Sequence, residues 1–274
     1  MASNLQGREV DHPAICRDRH SSPYSLCPSF RFPGGKKLLA PTIVQKPPQH
    51  GRKFVEACAG RGNITWRAIY EGLNYEEWII NDPLTYPFFK CIRAIGHTVR
   101  VPRHYSSTEH AKQEKLAAKG DQRAILLESA LCFNGGTWSG GGSTARKPPN
   151  NYGSSLRIAH QMMLDKNILV TPLDWLDCLQ SLDLGEDDFV VMDPPYLDCA
   201  VGPYKADQVI PAEVIAHLKN ARFQWILCEY EQPLYLMAFG EPFFGHEVQC
   251  RANDFAHSRQ QKRMECMWTN IRGL

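Results

Sequence analysis

The chain has 274 residues, 43% of them hydrophobic and 22% charged, with 31 Lys and Arg against 29 Asp and Glu. This excludes a disordered chain and a small stapled scaffold, and it is enough sequence for one large domain carrying an insert. A net charge of +2 argues against a polyanionic partner unless the positive charge gathers on one face.

Counted locally, the charge does gather. Residues 31–53 hold Arg31, Lys36, Lys37, Lys46, Arg52 and Lys53 with no acid, and residues 90–123 hold eight cations against three acids. Compensating acids cluster at 183–188, which raises the expectation of a nucleic-acid partner. The ten cysteines include no C-x-x-C pair. Cys58, Cys91, Cys132, Cys178, Cys228 and Cys266 lie in apolar or periodic stretches, as small buried hydrophobes do. His12, Cys16, His20 and Cys27 have no zinc-ligand spacing, so no metal is expected. The first twenty residues lack a signal-peptide core and nowhere do about 18 apolar residues run together, so a soluble, cytoplasmic protein without membrane contact is expected.

In chain order, the pattern predicts a strand over 53–58, a glycine turn, and a helix through Ile64, Trp66, Ala68 and Ile69 that ends before Gly72. A strand over 77–81, a helix over about 84–95 and a short strand over 98–101 follow. Residues 104–131 read as helical, and 134–153, rich in Gly, Pro, Asn and Ser, as a loop. Strands over 167–171 and 189–192, a Pro-initiated helix over 211–219 and a strand over 223–228 resume the alternation. Runs at 247–251 and 263–269 read as a closing antiparallel pair. The alternation predicts an α/β fold with a mostly parallel, doubly wound sheet.

Two segments carry chemistry. In FVEACAGRGN, 54–63, an apolar strand runs into Gly60 and Gly62 and then a helix, so a ligand can approach the backbone at a helix N-terminus. Asp82, at the end of the next strand, is placed to accept from the hydroxyls of a ribose. In VVMDPPYL, 190–197, Asp193, Pro194, Pro195 and Tyr196 follow a buried strand. The prolines remove two N–H donors, leaving the Asp193 carboxylate and the Pro194 carbonyl as acceptors for a flat amino group, with Tyr196 to stack on its ring.

With FRFPGGK at 30–36 these motifs resemble, in order, those of DNA adenine-N6 methyltransferases of the bacterial DNA adenine methylase type (D12 class). The resemblance implies a Rossmann-like methyltransferase fold and S-adenosylmethionine as cofactor. It implies cofactor contacts at Phe32, Gly34, Gly35 and Lys36, then at Glu56, Cys58, Gly60, Gly62 and Asn63, and at Asp82, Pro83, Asp174 and Asp193. It further implies a catalytic Asp193-Pro194-Pro195-Tyr196 motif acting on adenine N6 in double-stranded DNA, with base flipping. Ala57 and Cys58 stand where the family usually has Pro-Phe. By the same resemblance the chain divides into an N-terminal extension, 1–29, a catalytic domain, 30–103 and 165–274, and a target-recognition insert, 104–164. DNA contacts are expected at Asn134, Trp138, Arg146, Lys147 and Tyr152, and at Arg259, Lys262 and Arg263 in the last hairpin, in a monomer or weak dimer. The acceptor pair reads an amino group and not a whole base, so cytosine N4, an RNA amine, or a silent DNA-binding relative remain alternatives.

Overall fold

The computed structural model describes residues 23–32, 34–131, 148–196, 210–251 and 260–271, with the side chains of 249–251 and 260–261 left aside. A seven-stranded sheet is formed by β1 (His50–Glu56), β2 (Asn74–Asn81), β3 (Leu169–Thr171), β4 (Phe189–Met192), β5 (Gln224–Tyr230), β6 (Phe244–Arg251) and β7 (Gln260–Thr269). Its order is β3-β2-β1-β4-β5-β7-β6. The first five strands pair parallel, and β7 runs antiparallel to both β5 and β6. This is the doubly wound order with one antiparallel strand slipped in beside β5, and it agrees with the Rossmann-like expectation.

Alternation along each strand sends residues to opposite faces, and helices cover both. Phe54, Ile80, Phe189, Val191, Ile226 and Met267 join one apolar cluster, with α2 (Asn63–Tyr70), α3 (Tyr86–Ile95), α5 (Gln122–Leu131) and α6 (Tyr152–Asp165). Val55, Ile79, Val190, Met192, Leu227 and Trp268 join the other, with α7 (Trp175–Ser181), α8 (Pro211–Lys219) and α9 (Pro233–Phe239). In α3, Phe88, Phe89, Cys91 and Ile92 form the buried stripe, and Pro87 sits in the first turn where no N–H is needed. The short α1 (Ala40–Ile43) packs near α2, while α4 (Ser107–Ala118) opens on a Ser106/Glu109 capping box and buries only Ala117.

Two expectations change, one for a strand and one for the basic segment 31–53. No strand forms over 98–101: the Thr98 hydroxyl turns back to the Ile95 carbonyl to close α3, and Pro102 interrupts any continuation. Of the described helices between 104 and 164, α5 and α6 pack on α3 against one face of the sheet, and α6 leads into β3. The basic segment 31–53 is partly neutralised. Arg52 bonds the buried Asp188 (Nη2 to Oδ2 2.5 Å), Lys53 lies 3.6 Å from Glu77, and Lys36 pairs with Asp193. By contrast Arg100, Arg103, Lys112, Lys115, Lys119 and Arg123 are exposed. Among the described residues no helix is long and apolar enough to cross a membrane, and Cys91, Cys178, Cys228 and Cys266 are buried free thiols.

Candidate functional site

Strand order reverses between β1 and β4, and a crevice at the carboxyl ends of the strands is where open α/β sheets bind ligands. Residues 57–63 leave β1 there, Asp82 leaves β2, and Asp193 leaves β4. The turn after β1 is built by glycine. Gly60 (φ 53°) and Gly62 (φ 69°) are left-handed, and a Cβ on Gly60 would lie 2.6 Å from the Phe32 ring. Gly62 is the N-cap of α2.

Asp82 ties this turn in place. Its Oδ2 accepts from the Gly60 N–H at 2.8 Å, and its Oδ1 from the N–H groups of Leu84 and Thr85 at 2.9 and 2.8 Å. Burial pushes its carboxyl up, and the amide bonds oppose that shift. The carboxylate thus holds the turn and the start of α3, next to exposed Pro83. Asp174 caps α7 through Oδ1 and is itself exposed. Cys58 is half-buried. Burial raises its thiol, and the carboxylates of Asp82, Asp193 and Asp174 raise it further.

Two expected cofactor contacts are engaged elsewhere. Glu56 is buried and accepts from the Thr65 N–H and hydroxyl at 2.9 and 2.6 Å. Burial lifts it to about 7, against those bonds. Asn63 donates to the Phe30 carbonyl at 3.0 Å and accepts from the Phe30 N–H at 3.1 Å. Its amide pins the N-terminal segment to the loop as a strand partner would, and the sequence pattern gives no sign of this. Asn81, fully buried, was not anticipated either: its amide joins the Ala57 and Leu173 carbonyls and accepts from Thr171 and Leu173. That knits the ends of β1, β2 and β3 together.

The pinned segment delivers Lys36. The backbone bends at Gly34 (φ 73°), and a Cβ on Gly35 would meet the Phe32 carbonyl at 3.1 Å and the Asn63 amide at 3.2 Å. Lys36 Nζ then reaches the Gly34 carbonyl at 2.7 Å, Asp193 Oδ1 at 2.7 Å and Glu265 Oε1 at 3.4 Å, and lies 4.6 Å from the centre of the Tyr196 ring. The contact with Asp193 is a close ion pair through Oδ1. Burial pushes Asp193 up to about 6 although the Lys36 ammonium pulls it down. For Lys36, burial alone would lower the pKa, but Asp193 and Glu265 outweigh it and hold the lysine protonated.

Pro194 is buried and Pro195 half-buried, which keeps the motif at the strand end. The Tyr196 hydroxyl donates to Glu265 Oε1 at 2.6 Å, and its ring meets Tyr230 at 4.6 Å, near edge-on. Glu265 belongs to β7 and carries no motif that sequence reasoning could have found.

The expected DNA contacts fare unevenly. Tyr152 is corrected: it is buried, its hydroxyl donates to the Leu126 carbonyl at 2.8 Å, and its ring packs edge-on against Phe30 at 5.7 Å. Placed at the first turn of α6, it is core. Lys262 is exposed and pairs with Glu247 at 2.7 Å, and Arg263 lies 5.1 Å from the Tyr230 ring centre. Asn134, Trp138, Arg146, Lys147 and Arg259 lie outside the described residues.

No family model matches the chain and no curated protein is similar to it. Solved structures that resemble it include a conserved hypothetical protein of Streptococcus pyogenes, 8% identical over 82% of this chain and 89% of that one, with a TM-score of 0.33. A presumptive methylase of Haemophilus influenzae is 11% identical over 85% and 84% of the two chains, with a TM-score of 0.32. An rRNA methyltransferase of Streptomyces viridochromogenes is 13% identical over 85% and 84%, with a TM-score of 0.38. Identities and TM-scores of this size assign neither a family nor a substrate.

Proposed function

We propose that this protein is an S-adenosylmethionine-dependent methyltransferase that modifies an exocyclic amine of nucleic acid, namely adenine N6 in double-stranded DNA. The observation that carries the reading is the Asp193 carboxylate: it is half-buried after β4, is held by a cation through Oδ1, and stands across the switch point from the Gly60–Gly62 turn. The motif order from FRFPGGK to Asp-Pro-Pro-Tyr supports adenine over cytosine.

The residues of the crevice suit the cofactor. The Phe32 ring lies against the bare backbone of the Gly60 turn, so both border the crevice, and exposed Asp174 offers an acceptor toward a ribose while Asp82 holds the turn. When bound, S-adenosylmethionine supplies a methyl group on a sulfonium centre. Asp193 and the Pro194 carbonyl accept the two N–H bonds of the target amine. This draws the nitrogen from planar toward tetrahedral, aims its lone pair outward and stabilises the positive charge it gains. Asp193, whose ionised form the Lys36 ammonium favours, is also placed to take the proton that the methylated amine then loses. An amine inside a stacked duplex is out of reach, so the base flips out, at a cost of a few kcal/mol.

The test is transfer of tritiated methyl from S-adenosylmethionine to a panel of duplex DNA, single-stranded DNA and RNA, with the modified base identified by nuclease digestion and chromatography. N6-methyladenine from duplex DNA is the expected product, and Asp193→Asn lowers its formation by about 10²–10³-fold while leaving the fold intact. Methyl groups found solely on cytosine or in RNA would replace the stated substrate. Full activity in a folded Asp193→Asn variant would remove the carboxylate from the mechanism.

A further inference from the structure

The Lys36 ammonium stands where the substrate is to go. It contacts Asp193 Oδ1 at 2.7 Å and overlies the Tyr196 ring at 4.6 Å, so it fills both roles expected of the incoming amine and its base. An amine can reach Asp193 only if Lys36 moves off, and the lysine side chain, 5% exposed, cannot simply be left without a counter-charge, since an unpaired buried cation is strongly disfavoured.

Glu265 offers the alternative. Its Oε1 is already 3.4 Å from Lys36 Nζ, and its side chain is 12% exposed. It sits on a paired strand and not on a loop, opposite Tyr230 on β5 and opposite His246 on β6. The groups that face it are Lys36, the Tyr196 hydroxyl at 2.6 Å and His246 Nε2 at 3.7 Å from Oε2. The same oxygen therefore orients the tyrosine of the motif and lies within reach of the lysine. We infer that Glu265 is a second seat for the Lys36 ammonium, and so a positioning residue: when an amine takes Asp193, Lys36 passes to Glu265. What enters the site rests on the methyl-transfer reading, whereas the two seats do not.

The seats are tested by acylation of Lys36 with acetic anhydride in the full chain, followed by mass spectrometry of the Lys36 peptide, with circular dichroism to verify folding. In the wild type, in Asp193→Asn and in Glu265→Gln at least one carboxylate remains, and Lys36 stays protected. In Asp193→Asn/Glu265→Gln it reacts at least about tenfold faster, in line with coupling between contacting charges. Labelling of Asp193→Asn alone at the rate of the double variant, or a folded double variant as slow as the wild type, overturns the inference. Should the double variant fail to fold, steady-state kinetics decide. Glu265→Gln raises KM for the DNA substrate roughly tenfold with kcat within about threefold, and this rise disappears in a Lys36→Met background. An equal rise in both backgrounds refutes a shared lysine. If no nucleic acid accepts methyl from the wild type, the proposed function fails, and the labelling still decides the seats.

Discussion

Alanine at Gly60 separates close approach from backbone freedom in the turn after β1. Two costs follow from the structure. At φ 53° an L-residue loses about 1–2 kcal/mol in the left-handed region. The new methyl would also lie 2.6 Å from a Phe32 ring that is only 8% exposed, and forcing a buried ring aside costs about 1–3 kcal/mol more. Gly72 supplies the comparison: it is left-handed too, at φ 83°, but a Cβ there meets nothing within 4 Å, and it lies before β2, at the amino ends of the strands and away from the crevice. Gly72→Ala therefore loses only the first cost and Gly60→Ala both, a difference of roughly 2 kcal/mol, or about 4–8 °C in Tm. Urea unfolding measures the stabilities and calorimetry the affinity for S-adenosylmethionine. Because the displaced ring borders the cofactor turn, Gly60→Ala weakens binding by about tenfold or more, and Gly72→Ala leaves it unchanged. Equal stability losses, or unaltered cofactor affinity in Gly60→Ala, would show that the glycine serves conformation alone.

Other outcomes follow from buried polar groups. Glu56 is raised from its ordinary 4.5 to about 7 by burial, so the folded chain holds that proton more tightly than the unfolded one. Stability therefore falls as pH rises from about 4.5 to 7, by on the order of 2–3 kcal/mol. Glu56→Gln should flatten the slope in urea melts between pH 5 and 8, and a slope unchanged by the substitution would assign the effect to other groups. Asp188 is 1% exposed and holds Arg52 as well as the Lys53 and Gly185 N–H groups. Asp188→Ala is expected to cost about 3–5 kcal/mol with kcat preserved in the protein that folds, and a loss below about 1 kcal/mol in chemical denaturation would contradict this anchor. Tyr152→Phe removes a buried hydroxyl bond and costs about 1 kcal/mol, with DNA affinity unmoved in a gel-shift titration. A marked loss of affinity there would restore Tyr152 as a DNA contact.

The sheet was legible because its strands are short, dense apolar runs that end in chemistry. Val190–Met192 leads directly into Asp193, and Phe54–Glu56 into the glycine turn. What escaped has other causes. The helix α6 begins inside a stretch of Gly, Pro, Asn and Ser, and only the buried stripe of Leu156, Ala159, Met162 and Met163 declares it. Thr98 to Val101 has strand composition, but its hydrogen bonds are spent closing α3. Glu265 and Asn63 are ordinary polar residues whose roles arise from partners 69 and 33 positions away, which local pattern does not encode. Local charge counting had the same limit: Arg52 and Lys53 belong to a basic run in sequence and to acidic neighbours in space.

The placement of Lys36 follows from one side-chain amide. The segment that carries it lies outside the sheet, and Asn63 fastens it at Phe30 on the first turn of α2, so the lysine is fixed to the glycine turn after β1. This matters for Asp193, because burial raises the carboxyl to about 6 even with the ammonium beside it. Without a nearby cation the carboxyl would move further toward the protonated form, which cannot accept both a donor and a proton at the same oxygen. On the proposed methyl-transfer reading Lys36 has two opposed duties: to vacate Asp193 for the amine, yet to stay close enough to keep the carboxylate ionised. A second carboxylate 3.4 Å from the ammonium, held by the hydroxyl of Tyr196, satisfies both. It accepts the cation without letting it leave the site, which is why an acid on β7 belongs to a site otherwise built from β1, β2 and β4.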